Sequence, residues 1–228
     1  MTASSSMSTV IQMDPDACRA LAAYGRRQLG WRADLAARVM TRGSAIALFT
    51  APPMGVLAMF AVPGHLDPAD APGVDQTLAL ASVVAILDHA ATQGLAVDVR
   101  ALSSGTVLGA PELGDLPPAD GWQMPIHAIS GDLTAKVDQA VSEFTARTTG
   151  LPAATQQAIA EEIWDRQSWA ALPMRMLHAA RRLGMLANDA SRVTAANCGP
   201  WKRLSTQRGQ VFIRTDRLGR RVSLSVVR

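Results

Sequence analysis

Two apolar runs stand close together in the first third of the chain. Residues 45–50 and 56–62 carry no charged side chain, and Pro52, Pro53 and Gly55 lie between them. Adjacent prolines remove backbone donors and clash with a helical backbone, whereas turn residues between two apolar runs are typical of a β-hairpin. The pattern therefore predicts a buried apolar hairpin and no membrane element.

Helical spacing of apolar residues marks the segments on either side of this hairpin. Asp14 as N-cap and Pro15 in the first turn predict a helix that continues to about Met40, with a break near Gly30. Residues 74–92 repeat the spacing of about 3.6 residues and predict a second helix.

Alternation and turn residues characterise the middle of the chain. Residues 95–99 alternate apolar and polar side chains, as a strand does. Residues 103–121 contain seven Gly or Pro and predict a loop. Residues 122–129 predict a strand at a sheet edge, because Pro125 cannot donate a ladder hydrogen bond. Asp132 then begins a helix with one apolar face.

The last third of the chain is set off by the sequence Thr-Thr-Gly-Leu-Pro at residues 148–152. Both helix-breaking residue types are present there, so the segment predicts a linker. Beyond it, the pattern predicts helices over residues 153–166 and 173–183, then a hairpin formed by residues 210–215 and 221–227.

Together these elements predict an α+β protein. A flexible tail (1–13) precedes a mixed helix and sheet domain (14–147) that contains the apolar hairpin. After the linker, a smaller helical module (153–228) ends in a β-hairpin. Two helices and a hairpin have a winged-helix-like outline, although a full winged helix has a third helix.

Charge is distributed unevenly over the 228 residues. Residues 1–42 carry six arginines and three aspartates, whereas residues 43–146 carry two basic and eleven acidic side chains. Residues 147–228 carry fourteen basic and five acidic side chains. So basic a segment is typical of nucleic-acid binding. The alternative is that the basic part faces the acidic part of the same chain, or a protein partner.

If nucleic acid is the partner, the contacts would come from the second helix of the basic module and from its strands. Helical spacing places Arg175, His178 and Arg182 on one face, with Arg181 beside them. The predicted nucleic-acid-binding residues are Arg175, His178, Arg181, Arg182, Trp201, Lys202, Arg203, Arg208, Arg217, Arg220 and Arg221.

No motif for a catalytic, metal or phosphate site occurs in the sequence. The four histidines are His65, His89, His127 and His178, and none stands at helical spacing from another ligand type. The sequence therefore predicts no metal, no cofactor and no catalytic residue.

Three functions remain open at this point. The first is a non-catalytic cytoplasmic binding protein, with nucleic acid at its basic module and a protein partner or second copy at the apolar hairpin, residues 44–62. The second is a structural or adaptor protein whose basic half pairs with its own acidic half or with a protein partner. The third is an enzyme with a site near loop 103–121, where Trp122 and His127 are close in sequence.

Overall fold

The computed structural model describes residues 10–67, 73–100, 102 and 109–217. Helices and antiparallel strands are both present, which confirms the mixed α+β class. The chain divides into two compact units, Met1–Phe49 with Phe60–Ala110 and Thr50–Met59 with Pro111–Arg228. In the described part of the chain, every helix is too short or too polar to cross a lipid bilayer.

The first unit combines two helices with two sheets. One sheet has the order β5-β1-β7, and the other contains β6-β2-β3-β4. In chain order the elements are β1 (Val10–Met13), α1 (Pro15–Leu29), β2 (Ala36–Arg42), β3 (Ala45–Thr50), β4 (Leu57–Pro63), β5 (His65–Asp67), β6 (Asp75–Ala79), α2 (Leu80–Gln93) and β7 (Val97–Asp98).

Helix α1 begins where the sequence predicts. The carboxylate of Asp14 accepts a hydrogen bond from the backbone N–H of Ala17 at 2.7 Å, and Pro15 follows the cap. Helices α1 and α2 approach closely at Gly25, where a Cβ atom would lie 2.4 Å from a methyl carbon of Val84. The absence of a side chain at Gly25 therefore sets the distance between the two helices.

The sequence-based helices are too long in two places. Helix α1 ends at Leu29, and residues 36–42 form β2 rather than a continuation of the helix. The first residues of the predicted helix 74–92 form β6, so that α2 begins only at Leu80. Strands β2 and β6 pair with each other. The backbone of each segment forms hydrogen bonds with a strand that is distant in sequence. Tertiary pairing therefore decides the secondary structure here, against the local periodicity.

The predicted apolar hairpin is present, because β3 and β4 are neighbours in the sheet. Alternate residues of β3, among them Ile46 and Leu48, are almost fully buried. Most of the apolar surface of residues 44–62 is thus covered within the folded chain.

The second unit combines three helices with a sheet. The first residues of β4 are followed in this sheet by β11, β10, β9 and β8. In chain order the elements are β8 (Gln123–Ile129), α3 (Ser130–Thr148), α4 (Ala153–Asp165), α5 (Met174–Arg182), β9 (Arg192–Cys198), β10 (Trp201–Thr206) and β11 (Gly209–Arg214).

Strand β8 lies at the end of this sheet and pairs with β9. Its register shifts between Gln123 and Ile126, on either side of Pro125. The predicted position at a sheet edge is confirmed, since a proline is tolerated where no neighbouring strand needs its missing N–H.

Residues 148–152 lie inside the second unit, between α3 and α4. Arg147 of α3 contacts Glu162 of α4 at 2.6 Å, and Arg166 contacts Glu143 at 2.8 Å. Hydrogen bonds from Arg166 and Arg147 to Glu143 lower the pKa of this carboxyl group to about 2. The two compact units are divided between residues 110 and 111 and at the two ends of residues 50–59.

The structure does not confirm the winged-helix-like outline. The hairpin at the end of the described chain is formed by β10 and β11, which also pair with β9 and β4 and so lie inside a larger sheet. Residues 221–227, predicted as the second hairpin strand, lie outside the described residues. Helix α5 is largely buried, with Met176, Leu177 and Ala179 fully covered, whereas a groove-reading helix must expose one face.

Candidate binding cavity in the second unit

Helices α3, α4 and α5 and the Pro53–Met54 turn enclose a cavity of about 690 Å³. This volume lies within the range of small-molecule binding sites. The apolar side chains that line it include Met54, Val137, Val141, Phe144, Ala160 and Trp164. Four of the predicted nucleic-acid-binding residues line the same cavity: Arg175, His178, Arg181 and Arg182.

Arg175 is buried in the cavity wall, with an exposed fraction of 7%. Its guanidinium forms an ion pair with Asp165 and donates a long hydrogen bond of 3.5 Å to the carbonyl oxygen of Met54. Gly55 allows this approach, because its φ is +67° and a Cβ there would lie 3.0 Å from Nη1 of Arg175. The Nε atom of Arg175 is buried without a hydrogen-bond partner.

Three rings form a continuous row from α3 through α4 to α5. The ring centroids of Phe144 and Trp164 are 5.9 Å apart, and those of Trp164 and His178 are 4.3 Å apart. Desolvation lowers the pKa of His178 to about 4, and the positive charge of Arg182 contributes to this shift. The imidazole is therefore neutral at pH 7, and its buried Nδ1 has no hydrogen-bond partner.

The threonine hydroxyls of the wall are engaged by the helix backbone. Thr145 donates to the carbonyl of Val141 and Thr148 to that of Phe144, at 3.0 and 2.7 Å. Among the described residues that line the cavity there is no Ser, Cys, Lys or Glu.

Charge is concentrated at one side of the cavity. Arg181 lies 3.7 Å from Asp138, and Arg182 lies one residue further along α5. Within the part of the chain that the structure describes, three arginines and one aspartate line the cavity. The described residues contain no group of three His, Cys, Asp or Glu side chains placed to hold a metal ion.

The remaining predicted nucleic-acid-binding residues do not join this cavity. Trp201 is buried, and Nζ of Lys202 donates to the carbonyl of Ala171. Arg203 lies over the ring of Trp122 at 4.3 Å, where burial lowers its pKa. Arg208 forms an ion pair with Asp189 at 3.1 Å. The side chain of Arg217 and all of Arg220 and Arg221 lie outside the described residues.

The predicted enzyme site near loop 103–121 is only partly described, because residues 103–108 fall outside. Trp122 packs on Phe212 at a centroid distance of 5.9 Å. His127 is exposed, with Nδ1 3.1 Å from the hydroxyl of Thr194. Neither side chain lines the cavity.

The sequence analysis did not single out the aromatic members of the cavity. Phe144 and Trp164 lie on different helices with a loop between them, and each alone is an ordinary apolar position on an amphipathic helix. The spacing of the arginines and His178 on α5 was visible, but their orientation toward α3 and α4 depends on helix packing.

A family model described as a domain of unknown function (DUF8185) matches residues 117–218. No curated protein matches the chain. The matched residues lie within the second unit and include every cavity residue except Pro53 and Met54.

Solved structures with a similar fold are DNA polymerase sliding clamps. The DNA polymerase III subunit beta of Borrelia burgdorferi, solved with a natural product, has a TM-score of 0.56 at 4% identity, with 91% of this chain covered. The clamp of Bacillus subtilis has a TM-score of 0.55 at 12% identity, with 90% covered. This chain covers 64% of the length of each. Over about nine tenths of its length, the chain has a fold that resembles the sliding clamps.

Proposed function

We propose that this chain is a non-catalytic binding protein that associates with DNA and with protein partners. The observation that supports this most strongly is the similarity of its fold to DNA polymerase sliding clamps over 90% of the chain. Because this chain is at most 12% identical in sequence to those two clamps, the roles of their residues cannot be transferred to its own residues. The surfaces involved must therefore be argued from this chain's own side chains.

The cavity supports a binding role. Its described lining includes the imidazole of His178, and the hydroxyl groups of Thr145 and Thr148 donate to the backbone. General acid–base catalysis near neutral pH favours a group with a pKa close to 7. With its pKa lowered to about 4, His178 does not meet that condition.

For DNA, the candidate contacts are the predicted basic residues of α5 and β10, in particular Arg181, Arg182, Lys202 and Arg203. Lys202 and Arg203 are neighbours on β10 and are partly exposed. Phosphate contacts by Lys and Arg release counterions and make affinity fall steeply with salt. A cytoplasmic location is part of this proposal, because a DNA-associated protein shares a compartment with DNA.

Several ion pairs support the adaptor alternative instead. Arg181 contacts Asp138, and Arg214 contacts Asp115. Each pair joins a basic residue from the last third of the sequence to an acidic residue before Arg147. Basic side chains that are neutralised internally contribute less to a field that attracts DNA.

A direct test is fluorescence anisotropy with labelled duplex DNA at low and physiological salt. We expect the Lys202→Gln/Arg203→Gln variant to bind more weakly, with a salt slope reduced by about 1 for each phosphate that is no longer neutralised. The double variant Arg38→Gln/Arg192→Gln removes the same charge elsewhere and serves as the control. If both double variants bind like the unmodified protein, Lys202 and Arg203 are not the DNA surface. If the unmodified protein does not bind at low salt, the adaptor alternative is favoured.

We also propose self-association, but at a different surface from the apolar hairpin. Residues 44–62, the surface expected from the sequence, are largely covered within the fold. Strand β8 has β9 on one side and, among the described strands, no partner on the other. Ile126 and Ile129 of this strand are exposed. An unpaired edge with apolar side chains favours pairing with a strand of a second copy.

A further inference from the structure

We propose that the cavity enclosed by α3, α4 and α5 binds a small apolar carboxylate, such as a medium-chain fatty acid or an arylalkanoic acid. This proposal goes beyond the association with DNA and does not depend on it. It is supported by the volume and apolar lining of the cavity, by two buried polar atoms without hydrogen-bond partners, and by the arginines among the described lining residues.

The apolar part of such a ligand matches the cavity walls. Val137, Val141 and Phe144 of α3 line the cavity together with Trp164 of α4. A cavity of about 690 Å³ holds one small molecule. Burial of an alkyl chain or phenyl ring against these side chains removes apolar surface from water and favours binding.

The carboxylate is suggested by the polar atoms that the fold leaves unsatisfied. Nε of Arg175 and Nδ1 of His178 are both buried without a hydrogen-bond partner. A guanidinium N–H only donates, so Nε needs an acceptor, and a neutral imidazole protonated on Nδ1 donates as well. Buried donors without acceptors are uncommon in proteins and indicate a ligand or an ordered water. A carboxylate can accept from both.

Charge favours an anion over a neutral head group. Arg175, Arg181 and Arg182 line the cavity, and Asp138 is the acidic lining residue. Asp165 forms an ion pair with Arg175 and is not itself among the lining residues. A carboxylate that accepts from Nε of Arg175 forms a charge-assisted hydrogen bond, which is stronger than a bond to a neutral acceptor. Arginine is well suited to this role, because its planar fork matches the two oxygens of a carboxylate.

The walls favour a small molecule over a peptide. Most of the lining residues lie on helices, whose backbone groups are bonded within each helix. Gln156 donates to the carbonyls of Leu151 and Thr148 between α3 and α4. An extended peptide would bury main-chain N–H and C=O groups against helical surfaces, whose backbone groups are already paired. A small carboxylate has no such groups to satisfy.

Isothermal titration calorimetry of the full chain with three probes of equal chain length tests the proposal. Octanoate, octanol and octylammonium share the apolar part and differ in the head group. We expect saturable binding of octanoate about 10-fold tighter than that of octanol, and no binding of octylammonium. Equal affinity for octanoate and octanol, or no saturable binding of octanoate at millimolar concentration, would overturn the assignment.

Variants separate the head-group contacts from the apolar wall. Arg181→Gln/Arg182→Gln should weaken octanoate about 10-fold and leave octanol unchanged. Val141→Trp adds bulk at a partly exposed lining position and should abolish binding of both probes. Arg208→Gln, which lies outside the cavity, should change neither. Octanoate binding that survives both the arginine and the tryptophan variants would place the ligand elsewhere. DNA anisotropy on the same samples shows separately whether DNA association holds.

Discussion

The ring of His178 lies 4.3 Å from the ring of Trp164, centroid to centroid, with an angle of 36° between their planes. This contact joins α4 to α5 and removes the imidazole from water. Because burial disfavours the charged form, the pKa of His178 is lowered to about 4, with a further contribution from Arg182. The stability of the folded protein therefore depends on pH through the buried imidazole of His178.

The first prediction concerns stability between pH 7.5 and pH 5. In the unfolded chain His178 binds a proton below about pH 6.5, whereas in the folded protein it does so only below about pH 4. The unfolded state therefore binds more protons in this window, and the free energy of unfolding falls as pH falls. We expect a loss of about 2 kcal/mol at pH 5, measured by urea denaturation.

The control for this effect is the pair His178→Gln and His127→Gln. His127 is exposed on β8, so its replacement should leave the loss between pH 7.5 and pH 5 as it is. His178→Gln should remove most of it. The stabilisation that Glu143 gains from its lowered pKa is lost mainly below pH 4.5, the ordinary value of this group, so it contributes little to the change between pH 7.5 and pH 5. An unchanged loss in His178→Gln would show that this imidazole is not the group responsible.

The second prediction concerns the contact between α1 and α2. A Cβ at Gly25 would lie 2.4 Å from Val84 and 3.3 Å from Leu80, so Gly25→Ala forces the helices apart. Overpacking of this kind costs about 1–3 kcal/mol. Gly30 ends the same helix with a right-handed φ of −65°, and a Cβ there meets nothing closer than 3.7 Å. We expect thermal unfolding to show a lower Tm for Gly25→Ala and little change for Gly30→Ala. A similar Tm for both variants would contradict the packing argument.

The third prediction concerns Arg175 and Asp165. Asp165→Ala leaves the buried guanidinium with only a long hydrogen bond to Met54 and should lower the free energy of unfolding by about 1–3 kcal/mol. Arg175→Met retains an apolar stem and leaves no buried charge, so it should cost less. In the Arg175→Met background, Asp165→Ala should have little further effect. Additive losses in the double variant, measured by urea denaturation, would show that the two side chains act independently.

The sequence predicts elements well where local signals agree with tertiary packing. The cap at Asp14, the hairpin around Pro52 and Pro53, and the edge position of the strand with Pro125 all follow from backbone chemistry that needs no partner. The pattern fails at β2 and β6, whose hydrogen bonds come from each other across thirty or more residues. Their apolar spacing suits a helix equally well, and only the pairing decides.

The candidate site shows the same limit. Arg175, His178 and Arg182 are predicted to share a face of α5, and they do line one cavity. We predicted from the sequence that this face binds nucleic acid, because the charge of a segment can be read from its residues whereas its burial cannot. Arg175 and His178 point into the cavity because they contact Asp165 and Trp164. These two partners lie on α4, and the sequence does not determine how the turn between α4 and α5 folds.

The fourth prediction concerns self-association through β8. A strand edge with exposed Ile126 and Ile129 can extend the sheet by pairing with a second copy, and a lysine at such an edge opposes pairing. Sedimentation velocity of the full chain should show a concentration-dependent dimer that Ile126→Lys/Ile129→Lys shifts to monomer. Leu95→Lys/Leu151→Lys replaces two other exposed apolar residues with the same charge and should leave the dimer intact. A monomer at all concentrations, or a dimer insensitive to the β8 variant, would exclude this edge as the interface. Because the substitutions are at exposed positions, the folded fraction by circular dichroism should be unchanged, and a lost dimer then reports the interface rather than unfolding.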